Sequence, residues 1–242
     1  MITETHQIRV RGLPVEIVRK EIKNLHLGVY PPNGRVRVAA PLAVSDDAVR
    51  LAVIGKLAWV QRQRRRFADQ SRQSRREMVS GESHYVLGRR YRLRVVEHEG
   101  AGKVVLRNGT TLELQVRPGT SAPQREQVLQ RWYRQHLREL IPPLLDAWQE
   151  AIGVQAAAWG IKKMKTKWGA CNPESGRIWV NLELAKKPLR CTEYIVVHEL
   201  VHIVERLHND RFTALMDKYL ADWRFRREEL NSSPLGHVEW DY

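Results

Sequence analysis

Apolar and polar positions alternate with period two across residues 7–40. Residues 15–19 alternate, 24–30 alternate again, and 35–39 do so strictly. Pro31-Pro-Asn-Gly34 lies between the last two runs, and Asn and Gly tolerate the positive φ of a tight turn. The pattern predicts a β meander. Ser45 then supplies an N-cap with Asp46 and Asp47 behind it, and Val49, Val53, Leu57 and Val60 recur at helical spacing. This helix is expected to run on into a polar segment at 61–76 that carries Arg62, Arg64, Arg65, Arg66, Arg72, Arg75 and Arg76.

Period-two patterning returns over 82–117, with strands expected at 83–87, 91–97, 103–106 and 112–116 and a hairpin turn at Asn108-Gly109. Residues 118–123, bounded by two prolines, read as a linker. They divide a β-rich part with a basic helix, 1–118, from a helical part, 124–242. In the second part, Val128, Trp132, Leu137, Leu140, Leu144, Leu145 and Trp148 form a helical stripe. Pro142-Pro143 should kink or break that helix, and Gly153 should end it. A lysine-rich strand is expected at 159–167, a turn-rich segment at 168–176 and a strand at 177–182. Pro188 and Thr192 introduce a last apolar helix, with Thr192 as N-cap. The chain shows no internal repeat. The fold class is α+β.

Within that last helix, His198 and His202 stand four apart with Glu199 after the first. Positions i and i+4 share one helix face, so both imidazoles can hold one metal ion. Glu199 sits about 100° round the helix and can reach a water on that ion without being a ligand. This HExxH pattern is the signature of zinc metallohydrolases. Val197, Leu200, Val201 and Ile203 flank it, as a helix packed in a core requires, and desolvation keeps such imidazoles neutral and able to bind metal. A catalytic zinc needs a third protein ligand. His208 is the candidate, with Glu228 and Glu229 as rivals. In a continuous helix His208 would lie about 9 Å along the axis from His202, too far for a shared ion. The helix must therefore end between them, and Asn209-Asp210 look like the cap of a following helix.

The residues Lys167-Trp-Gly-Ala-Cys171, the strand from Asn181 and the run from Tyr194 through His208 to Phe212 resemble the YgjP-like metallopeptidase-type family, relatives of the SprT-like zincins. Gly34 to Pro41 and the helix at Trp59 resemble that family's opening. The resemblance implies a zincin-like C-terminal domain with zinc on His198, His202 and His208 and with Glu199 as acid/base. This chain departs from the family pattern at Ala170, where serine is usual, at Lys167, where arginine is usual, and at Leu207, where a polar residue is common.

Net charge is +14 over 242 residues, a balance that attracts polyanions. The arginine-rich segment is a solvated face or a nucleic-acid arm. No apolar run spans a bilayer and no signal peptide is evident at the start, so a cytoplasmic protein without membrane association is expected. Cys171 and Cys191 cannot form a thiolate zinc site alone. His84, His98, His136 and His237 have no partner at ligand spacing, and Trp132, Trp148, Trp159 and Trp179 are expected in the core. Trp168 and Asn181 are candidates for contact with substrate. Three functions remain. The first is a zinc-dependent hydrolase of peptides or proteins. The second is a metal-dependent nucleoside triphosphate phosphohydrolase. The third is a basic nucleic-acid-binding protein with a structural zinc.

Overall fold

A computed structural model describes residues 4–30, 34–69, 76–164 and 167–232, without the side chains of 66–69. It is an α+β structure that divides along the chain into two compact units, one up to Ser71 and one from Arg72. The Pro31–Asn33 turn, Arg72, Arg75, Lys165 and His237 lie outside the described residues.

In the first unit β1 (Thr5–Val10), β2 (Leu13–Lys20), β3 (His26–Tyr30) and β4 (Arg35–Pro41) form one sheet in the order β1-β2-β4-β3. It is not a meander, because β2 and β4 pair in parallel at the centre and β3 is an edge. β4 takes the central place because it buries Val36, Val38 and Ala40 in strict alternation, whereas no residue of β3 is buried. Val49 and Val53 of α1 (Asp46–Gly55) complete this core. Ser45 caps α1 as expected, by accepting from the Ala48 N–H at 3.2 Å. The expected single helix is two, since the backbone turns at Lys56 (φ −108°, ψ 9°) before α2 (Leu57–Asp69). The buried Arg19 ties β2 to the start of α1, donating to the Pro41 carbonyl at 3.3 Å and pairing with Asp46.

The second unit opens with the same plan. β5 (Ser83–Val86), β6 (Arg89–Glu97), β7 (Lys103–Arg107) and β8 (Thr111–Val116) take the order β5-β6-β8-β7, again with a parallel pair, β6 and β8, at the centre. The first hairpins of both sheets turn on a left-handed residue followed by glycine, Arg11-Gly12 (φ 48°, 79°) and Leu87-Gly88 (φ 48°, 80°). Each sheet leads to a helix with a serine N-cap, Ser45 or Ser121. The topology thus repeats although no repeat is read from the sequence. Strand pairing needs only alternating apolar positions and a turn, which unlike residues satisfy equally well.

α3 (Ala122–Ile152) runs through Pro142-Pro143 without ending. Leu137, Ile141 and Leu145 are buried on either side of the prolines and hold both halves to one core. That core also contains Leu112 and Leu114 from β8, so residues on both sides of the 118–123 segment share one cluster with the HExxH helix. A three-stranded sheet, β10-β11-β9, closes the unit, with β9 (Ala158–Lys162), β10 (Gly169–Asn172) and β11 (Arg177–Asn181). The segment expected to be turn-rich therefore contributes a strand, because β11 offers Gly169–Asn172 a full antiparallel register. Trp132, Trp148 and Trp159 pack on the core. Trp179 instead lies on the other face of the small sheet, against Gly160 and between Lys162 and Arg177.

Candidate metal centre

The helix α4 (Leu189–Val204) carries the HExxH residues through the middle of the second unit. It starts after Pro188 rather than at Thr192, which is fully buried inside the first turns. Val196, Val197, Leu200 and Val201 are wholly buried around the motif. The helix ends at Val204, and Glu205 is extended (φ −135°, ψ 109°). Asn209 then caps α5 (Asp210–Tyr219), accepting from the Phe212 N–H at 2.9 Å. The break required between His202 and His208 is therefore present.

That corner swings His208 back over α4. The Nε2 atoms of His198, His202 and His208 form a nearly equilateral triangle with sides of 3.2, 3.1 and 3.1 Å. Nitrogens bound to one ion at 2.0–2.1 Å with tetrahedral angles stand about 3.3–3.4 Å apart, so the triangle fits a shared ion. The tautomer of His202 fits as well. Its Nδ1 donates to the Glu205 carbonyl at 3.0 Å, which leaves the Nε2 lone pair facing the other two rings. Three lone pairs facing one another repel unless a cation lies among them. Among the described residues this is the one group of three such side chains whose ligand atoms converge. Glu229, a rival for the third position, is paired with Arg190 (Nε to Oε2, 2.6 Å).

Phe212 of α5 is the platform beneath the triad. Its ring centroid lies 4.9, 4.7 and 4.7 Å from those of His198, His202 and His208. Burial pushes His198 down to about 3, helped by the neighbouring His202, His208 and Arg227. His208 is lowered for the same reasons, burial first. Lowered in this way, the His198 and His208 rings favour the neutral state, the one that binds metal.

Glu199 is 4% exposed, and burial raises its carboxyl to about 8, with Lys167 opposing. Its carboxylate faces β10, where Gly169 leaves the room it occupies. Asn181 does not point free into a cleft. Its amide donates to the carbonyls of Met164 (2.9 Å) and Lys167 (2.7 Å) and accepts from the N–H groups of Met164 (3.3 Å) and Glu183 (3.2 Å). It is the clip that holds Met164 and Lys167 at the end of β11. Trp168 packs on the core with the Lys187 ammonium 5.5 Å from its ring centroid.

Four contributors were not singled out from the sequence: Glu205, Gly169, Phe212 and Arg227. Glu205 acts through its carbonyl on His202, and its carboxylate accepts from the Leu207 N–H at 3.1 Å, which shapes the corner. Phe212, three residues after the Asn209 cap and buried, was legible as the first apolar anchor of α5.

An HExxH helix that breaks to return a third histidine is the architecture of a metallopeptidase-type site. The chain belongs to the YgjP-like metallopeptidase family, whose domain model matches residues 23–233. Membership of a metallopeptidase family implies a metal and a hydrolytic reaction. Among solved structures, the chain is similar to the crystal structure of the metallopeptidase zymogen of Pyrococcus abyssi abylysin. The match has 18% identity and a TM-score of 0.34, over 36% of this chain and 89% of that one. No curated protein sequence matches. No helix among the described residues is long and apolar enough to cross a membrane.

Proposed function

We propose that this protein is a zinc-dependent peptidase acting on peptides or proteins in the cytoplasm. His198, His202 and His208 are the ligands and Glu199 is the acid/base. The observation that carries the reading is the convergence of three Nε2 atoms, two on α4 and one from the corner beyond it, within 3.2 Å of one another beside the buried Glu199. Three imidazoles and an open fourth position match the donor set of a catalytic zinc. Zinc bound there would polarise the scissile carbonyl and lower the pKa of a coordinated water to about 7. Glu199 takes the proton of the attacking water and returns it to the leaving nitrogen. Its raised pKa suits both steps, and a nearby dication favours its ionised form. Asn181 would position the Trp168 loop, and Trp168 would line the approach to the centre.

Metal analysis of chelator-free protein tests the reading, with close to one zinc per chain expected. Glu199→Gln should retain zinc and lose peptidase activity, whereas His202→Ala should lose both. Less than about 0.2 zinc per chain would sink the proposal. So would full turnover by Glu199→Gln.

The reading of the 62–76 segment as a nucleic-acid arm has less behind it. Arg62, Arg64 and Arg65 are exposed on α2, but Arg76 is half-buried in the second unit, where its charge acts on His84 and Tyr133.

A further inference from the structure

Helix α6 (Trp223–Ser232) brings an arginine to the metal centre through a ladder of rings. Trp223 is 7% exposed and donates from Nε1 to Asp217 at 2.7 Å. Its ring stacks on Tyr194 (6.4 Å, 12°), and Tyr194 meets His198 edge-on (5.7 Å, 69°). α6 is also clamped to α4 by Arg190–Glu229 and by Arg226, which pairs with Glu193 of α4 and Asp222. One helical turn after Trp223 stands Arg227, with its guanidinium 6.0 Å from that ring.

The arginines of α6 divide by partner. Arg224 is paired with Asp217, and Arg226 with Glu193 and Asp222. Among the described residues no carboxylate pairs with Arg227, which is exposed. It instead shares with Trp223 the face of α6 that reaches His198 through Tyr194. A second cation, Lys167, stands two residues before Gly169, whose backbone meets the Glu199 carboxylate. Glu205, the carboxylate nearest the corner, is bound to the Leu207 N–H and lies 3.9 Å from Arg211.

A dication beside two such cations, with Glu199 as the carboxylate among them, makes a centre of net positive charge. A neutral peptide bond does not balance that charge, whereas an anionic group on the substrate does, and it is also drawn in by the field. We infer that Arg227 binds an anionic group of the substrate beside the metal position, making this centre selective for acidic substrates. The inference rests on the proposal that the three histidines hold a metal. The anion is a carboxylate or a phosphate, carried by an acidic peptide or a nucleotide. Arg227 is thus a specificity residue for whichever bond is cleaved.

The test uses the full chain, zinc-loaded, in the Glu199→Gln background, so that binding is measured without turnover. Calorimetry would follow four probes: inorganic phosphate, a tetrapeptide with two central glutamates, its glutamine counterpart and a nucleoside triphosphate. Adding Arg227→Gln should weaken the anionic probes about 10-fold or more and leave the glutamine peptide unchanged. Arg227→Lys should recover part of the loss. Whichever of the acidic peptide and the triphosphate binds more tightly identifies the source of the anion. Equal affinities with and without Arg227 would overturn the inference, as would an equal loss for the neutral peptide, which would assign Arg227 to the reacting carbonyl instead. Zinc content is measured in each variant. Zinc present with Arg227 silent refutes this inference alone, while zinc absent from the parent refutes the peptidase reading together with it.

Discussion

A Cβ added at Gly169 would lie 2.4 Å from Oε1 of Glu199 and 2.8 Å from Cγ2 of Ile195. The edge strand β10 therefore approaches α4 closely, and the Glu199 carboxylate fills the space that a side chain would take. Gly169→Ala must displace Glu199 or separate strand and helix. Overpacking of this kind costs about 1–3 kcal/mol. Zinc content should be unchanged, because the three ligands lie on α4 and beyond it, while kcat should fall about 10-fold or more, since small displacements of a reacting group are costly. Metal analysis with kinetics on the same preparation checks this, and a fully active Gly169→Ala protein would contradict it.

Glu199 sets a pH dependence in the metal-free protein. Its folded-state pKa of about 8 lies above its ordinary 4.5. Burial stabilises the protonated carboxyl, so that contribution is complete below about pH 4.5 and is lost as pH rises to about 8. Glu199→Gln keeps the shape and removes the charge. Without zinc, the two proteins should be alike near pH 4.5, and the Gln variant should become more stable by up to about 5 kcal/mol by pH 8. Zinc should shrink the gap by favouring the carboxylate. Urea unfolding of chelated protein at several pH values measures this, and parallel curves would exclude it.

His208 closes the triangle of Nε2 atoms from outside α4, so its loss should be separable from loss of the helix. His208→Ala should weaken zinc by more than the 10- to 100-fold typical of residues that only orient a ligand. The metal-free variant should melt close to the metal-free parent, because His208 is exposed at the corner. Competition with a chromogenic chelator gives the affinity. Unaltered zinc binding would reopen the question of the third ligand.

Phe212 has both a packing and a positioning role. It is 3% exposed and touches all three imidazole rings. Phe212→Ala should cost about 3–5 kcal/mol of stability. Phe212→Leu should recover most of that stability, yet it lacks the flat ring stacked on His202 and should bind zinc more weakly than the parent. Thermal melts of the metal-free proteins, set beside zinc affinities, separate the two effects.

Asn181 should behave as a structural clip. Asn181→Leu leaves the Met164 and Lys167 carbonyls without their donors. Each lost hydrogen bond costs about 0.5–1.5 kcal/mol, and the chain at Met164 and Lys167 should become more open to proteolysis. A variant that resists protease as the parent does would argue against this role.

Much of the architecture was legible in local pattern. Seven of the eight strands in the two four-stranded sheets lay on period-two runs, and Ser45 and Asn209 capped the helices they announced. Strand order was not legible. Alternation says that a strand has two faces, not which neighbour it takes, and β4 and β8 reached the centre of their sheets by burying more than β3 and β7. β10 escaped notice because Gly-Ala-Cys-Asn has no pattern of its own and borrows its register from β11. Pro142-Pro143 do not break α3, because tertiary burial on both sides outweighs the missing N–H groups.

The same division holds at the metal centre. Two histidines and a glutamate on one helix are a consequence of 3.6 residues per turn, so their spacing alone placed His198, Glu199 and His202. The requirement that α4 stop before His208 also followed from helix rise. Only the folded chain decided that the corner at Glu205 returns His208 to within 3.2 Å of both partners, that Gly169 makes room for Glu199 and that Arg227 arrives from α6. Those relationships join residues 6 to 30 positions apart. Local backbone geometry cannot specify them, and they come from packing α5, α6 and β10 around one buried helix.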